Sequence, residues 1–226
     1  MMNNKNKETK DIIIQDLNNI FEIYKLYMIN EYKKINKLNY KIILINSVLN
    51  RSIAIIEAYK QIIKTNNIIV LNSLTRMQID NCIFVYGIYI LLENGYEVEE
   101  LFKNILFDNK KLSDYKIEKQ KLYDTYVISK INEEYNNKFE DMYNFYCRFI
   151  HYSDSALLSS ILAKEDNVLE FGLTKDYSRF EHHIIENGKS FVELCKFLLV
   201  ILKQKWENIK INEELQWKER KWIENI

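Results

Sequence analysis

Proline is absent from all 226 residues of this chain, and glycine occurs only at positions 87, 95, 172 and 188. Sandwiches and barrels need many tight turns, and tight turns draw on these two residue types. The chain is therefore left with long elements and few sharp corners. Apolar residues spaced by three and four identify those elements as helices. One stripe runs through Ile13, Leu17, Ile20, Tyr24, Tyr27 and Met28, within 11–36. A second runs through Ile42, Ile45, Leu49, Ile53, Ile56, Tyr59 and Ile63. The next segment, 67–93, is apolar on more than one side, as the central helix of a bundle is. Asn94-Gly95 follows as a stop, since both residue types tolerate left-handed backbone.

A short helix is expected over 97–107, with Val98, Leu101, Phe102 and Ile105 inward, and then a polar connection over 108–114. A long helical pattern covers 119–160, with Tyr135, Phe139, Met142, Tyr146, Phe149 and Ile150 on one side. The segment 166–176 breaks that pattern at Gly172 and reads as a loop with a brief extended piece. Ser178 is a candidate N-cap with Glu181 three residues later. The last stripe is Phe180, Ile184, Phe191, Leu194, Leu198 and Ile201. From Trp206 to Ile226 the chain is highly charged and carries three tryptophans, with Ile211, Leu215, Trp222 and Ile226 as a narrow seam. The expected fold is all-α: a single helical bundle of about five long helices over 1–205, with a C-terminal helical arm over 206–226.

Charge narrows the partners. The 32 Lys and Arg balance 32 Asp and Glu, so no overall field draws nucleic acid or an anionic membrane. The apolar runs 82–92 and 197–202 fall short of the roughly 20 residues a bilayer span needs, and no membrane association is expected. The polar start, rich in Asn and Lys, does not read as a secretory signal. Three cysteines, an odd number, disfavour a disulfide framework and suit a reducing, cytoplasmic setting. Isolated glycines supply no phosphate-cradling loop, and no closely spaced cysteine pair is present for zinc. No cofactor is expected.

Three polar groups interrupt the apolar pattern. Arg76 and Asp80, four apart, share a face of the most apolar helix. They read either as an ion pair fixing helix register or as an arginine aimed at a phosphate or carboxylate and steadied by its aspartate. Tyr143, Cys147, His151 and Ser155 also fall in steps of four, with Asp154 one turn from His151. A histidine beside a carboxylate can act as a general base, and a thiol as a nucleophile. Residues stacked on one helix seldom oppose each other as base and nucleophile must, so a hydrogen-bonded core histidine is the plainer reading. The third group is Arg179, Glu181, His182, His183 and Glu186. Adjacent histidines diverge on a helix, so a metal would need one of them plus a ligand from elsewhere, such as His151; no metal is assigned.

Arg76 and Asp80, with the run Tyr143-Asn144-Phe145-Tyr146-Cys147-Arg148-Phe149-Ile150-His151, resemble an uncharacterised all-helical bacterial family. Its members carry Arg-x-x-x-Glu on a central helix and a later Tyr-Arg-x-Leu-Ser-x-x-Val-His. Here aspartate stands for the glutamate, asparagine for the second-motif arginine, and cysteine for the serine. The resemblance spans roughly 42–202. The family looks like a distant relative of the HEPN helical bundles, many of which are ribonucleases in toxin–antitoxin or phage-defence systems. The HEPN signature, with four to six residues between arginine and histidine, is not met: two stand between Arg148 and His151, and three between Arg179 and His183.

The leading expectation is a helical protein acting through protein partners or self-association as a homo-oligomer, with phage defence implied by the resemblance alone. The alternative is a metal-independent ribonuclease acting on RNA, with His151 as acid or base, Arg76 on the scissile phosphate and Asp80 orienting it. The remaining expectation is a small-ligand or nucleotide sensor, with Tyr143, Cys147 and Asp154 as binding residues.

Overall fold

A computed structural model describes residues 2–34, 39–135, 138–150, 161–165, 168–171, 180–207 and 209. The long helices are α1 (Met2–Lys33), α2 (Tyr40–Ile62) and α3 (Ile68–Glu93). A short α4 (Val98–Leu106) follows, then a two-stranded ribbon of β1 (Lys116–Ile117) and β2 (Gln120–Lys121). Next come α5 (Asp124–Tyr135), α6 (Phe139–Ile150) and an antiparallel hairpin, β3 (Ile161–Glu165) with β4 (Val168–Phe171). The last helix among the described residues, α7 (Glu181–Ile201), continues into a π-helical turn at Leu202–Trp206. The protein is an all-α bundle.

Asparagine fills the roles that proline and glycine leave vacant. Asn39 and Asn67 accept from the backbone N–H groups of Ile42 and Val70 at 3.0 and 3.2 Å, satisfying donors that the first turns of α2 and α3 leave orphaned. Asn66 takes left-handed backbone ahead of α3. Asn94 and Gly95 (φ +81°) end α3 where the sequence predicts a stop.

Helix α3 is the axis of the bundle, packed against α2, α5, α6 and α7, while α1 lies on α2 and α7. The predicted α1 stripe is buried throughout, from Ile13 to Met28. Gly188 lets α1 approach α7 closely, because a Cβ there would meet Ile13 at 2.6 Å. Tyr24 donates to the Cys195 carbonyl at 2.8 Å, so its buried hydroxyl is satisfied across the same interface.

Two expectations are corrected. The pattern over 119–160 is not one helix: β2 takes its start, and α5 and α6 pack against each other as separate helices. Asn132 of α5 accepts from the Phe139 backbone N–H at 3.1 Å and so supplies the cap of α6. The brief extended piece expected within 166–176 is β4, paired with β3. Trp206, assigned to the arm, is fully buried, stacked on Phe102 and donating to the Val85 carbonyl at 3.3 Å. Tyr40–Thr65 is long and apolar enough by composition to cross a bilayer, a test that a buried core helix also passes, and half of that window is buried in the bundle. Ile211, Leu215, Trp222 and Ile226 lie outside the described residues, as does Ser178.

Candidate functional site

Arg76 and Asp80 do pair along α3, and the sequence-predicted residues Tyr143 and Cys147 join them from α6. The Arg76 Nε donates to Cys147 Sγ at 3.2 Å, and the Tyr143 ring lies 4.3 Å below the guanidinium. One further carboxylate, Asp124 at the start of α5, stands 3.7 Å from Nη2 and accepts from the Tyr143 hydroxyl at 3.4 Å. One cation therefore faces two anions. Arg76 is 8% exposed, whereas the Asp80 and Asp124 side chains keep 41% and 47% of their surface in solvent. Burial pushes the Tyr143 phenol up; Arg76 opposes this, while Asp124 and Cys147 reinforce it.

His151, Asp154 and Ser155 lie outside the described residues, as does Arg179. The rings of His182 and His183 are 5.9 Å apart and inclined by 55°. Glu181 is held by Lys10 and Asn6 of α1, and Glu186 by Lys189. Among the described residues, no three histidine, cysteine or acidic side chains gather closely enough to hold a metal ion.

One turn before Arg76 on the same face of α3 stands Asn72, at the inner end of a cavity of about 650 Å³ between α3, α6 and α7. Its walls are Ile68, Met142, Phe145, Tyr146, Phe149 and Phe180. Its polar inner end is Asn72, Asn187 and Ser190, and the charged groups Lys138, Asp141 and Glu186, with His183, stand exposed at its rim.

The inner end is a connected network. Asn187 Oδ1 is engaged by the Tyr59 hydroxyl and by Thr75 Oγ1, the latter at 3.1 Å. Asn187 Nδ2 donates to Asn72 Oδ1 at 2.7 Å. Burial pushes the Tyr146 phenol up, against hydrogen bonds with Ser190 and Asn187. One group is left over. Asn72 is 1% exposed, and its Nδ2 has no hydrogen-bond partner.

Sequence reasoning missed Asn72, Asn187, Tyr59, Ser190 and Asp124. The signal for Asn72 was present: Asn72, Arg76 and Asp80 form a polar column at steps of four on an otherwise apolar helix. Asn187 carried no such mark, because asparagine is common along the whole chain. Compared with protein-family models, curated proteins and solved structures, the chain matches none.

Proposed function

We propose that this protein is a non-catalytic helical receptor that binds a small ligand in the cavity between α3, α6 and α7. The observation that carries this reading is the cavity itself. Its 650 Å³ falls in the size range of small-molecule sites, and an apolar, aromatic wall closes on a few neutral polar groups. Phosphoryl transfer on RNA is less well supported. At 8% exposure, and with Asp80 and Asp124 already beside it, Arg76 offers a phosphate little access and little net positive charge.

Thermal unfolding of the full chain in the presence of uncharged aromatic compounds tests the receptor reading. A ligand present at one hundred times its Kd adds about 2.7 kcal/mol. For a domain of this size that raises Tm by roughly 5–10 °C. Ser190→Phe, which puts a ring into the cavity, should abolish the rise. A panel that never moves Tm, or moves S190F as far as wild type, contradicts the proposal.

Self-association is a second reading, favoured by the outer side of α1. Ile12, Ile23, Leu26, Ile29 and Tyr32 are all exposed there, half of the large apolar side chains so exposed among the described residues. The occupant would be a second copy of the chain. Light scattering should give a dimer that Leu26→Glu converts to monomer; a wild-type monomer at micromolar concentration would discard it.

A further inference from the structure

Resting on the receptor reading above, we infer the chemical class of the ligand: an uncharged, aromatic-sized molecule that presents a single hydrogen-bond acceptor, a carbonyl oxygen or ring nitrogen, to Asn72 Nδ2. Three observations converge on it.

The first is the orphaned donor. A buried N–H without a partner carries a desolvation cost that nearly every folded protein avoids. The other polar groups at the inner end are engaged with one another: Asn187 with Tyr59, Thr75 and Asn72, and Tyr146 with Ser190 and Asn187. Asn72 lines the cavity, and its Nδ2 is the donor there, among the described residues, that has no partner. A ligand donor placed there would meet an N–H head-on, whereas an acceptor completes the network.

The second is the distribution of charge. Among the described residues, no carboxylate, ammonium, guanidinium or imidazole lies at the inner end, so a carboxylate, phosphate or ammonium driven to that depth would be buried without a counter-ion. Among the described residues at the rim, Asp141 and Glu186 are balanced by Lys138 and by Lys189, which pairs with Glu186. A nucleotide bringing its base to Asn72 would lay its phosphates at a rim with no surplus of positive charge among the described residues. An uncharged molecule escapes both penalties.

The third is the wall. Phe145 packs against both Tyr146 and Phe149, with ring centroids 5.1 and 5.3 Å apart and planes inclined by 84° and 62°. Edge-to-face rings of this kind leave aromatic faces available to a planar guest, and such pairs add to plain burial of area.

Naphthalene and quinoline have the same size and shape and differ by one ring nitrogen, an acceptor. Their affinities for the full chain, measured by calorimetry at a pH where quinoline is unprotonated, test the inference. Quinoline should bind about tenfold more tightly, the scale of one hydrogen bond to an otherwise unpaired buried donor. In Asn72→Leu, which keeps the volume and removes the donor, the two should bind alike. Should that variant fail to fold, the side-chain amide signal of Asn72 in the wild type serves instead, and quinoline should shift it where naphthalene does not. Equal binding of both compounds to wild type, or an unmoved Asn72 signal with quinoline bound, overturns the acceptor assignment and leaves the receptor intact. Binding of neither compound overturns both.

Discussion

A guanidinium touched by a thiol, an aromatic ring and two carboxylates is a joint between helices. Arg76 belongs to α3, Asp124 to α5, and Tyr143 and Cys147 to α6, so one side chain ties three helices together. Because Asp80 and Asp124 remain well solvated, removing the cation strands no buried anion. Arg76→Met should therefore cost about 1 kcal/mol in urea unfolding, with Arg76→Ala costing clearly more through lost packing on Tyr143. A loss above roughly 3 kcal/mol for R76M would mean that the charge itself holds the joint. Glu181 makes a second joint, between α7 and α1. Hydrogen bonds from Asn6 and Lys10 hold its carboxyl below the ordinary value of 4.5. A lowered folded-state pKa contributes stability that is present above 4.5 and lost as pH falls through the lowered value. The stability difference between wild type and Glu181→Gln should accordingly be largest near neutral pH and shrink below 4.5; a difference independent of pH would contradict that linkage.

Elements show where the pattern in the sequence runs out. Stripes in α1, α2, α3 and α7 are plain to read, because only a helix keeps apolar residues in three-to-four steps over so many successive turns. The break between α5 and α6 is not, since their apolar residues keep one continuous period across the corner. At the corner sits a side-chain cap from the preceding helix, Asn132 on the Phe139 N–H, and spacing is blind to that. Asn132→Ala should cost about 1 kcal/mol, measured by urea unfolding, with no change at all counting against the cap. Trp206 escapes for a related reason. Charged neighbours on both sides give it the look of a surface arm, yet it completes the core against Phe102 and Val85. A chain ending at Lys205 should be less stable than one ending at Ile209 by roughly 3–5 kcal/mol, the cost of deleting a buried tryptophan. Equal stability of the two would place Trp206 outside the cooperative core.

At the scale of the molecule, α6 divides two kinds of polar chemistry along one face of α3. Towards Arg76 the groups are charged, one cation beside two carboxylates; towards Asn72 they are neutral, connected and one acceptor short. The charged half is legible in the sequence, because an arginine and an aspartate four apart on an apolar helix stand out. The neutral half is hidden, since a buried asparagine looks like any other in a chain where asparagine also caps and turns. The most direct test is a crystal structure of the full chain grown with quinoline. The account predicts the ring among Phe145, Phe149 and Phe180, with its nitrogen about 3 Å from Asn72 Nδ2. A crystal in which the protein's own side chains fill that space and pair with Asn72 Nδ2 would contradict it.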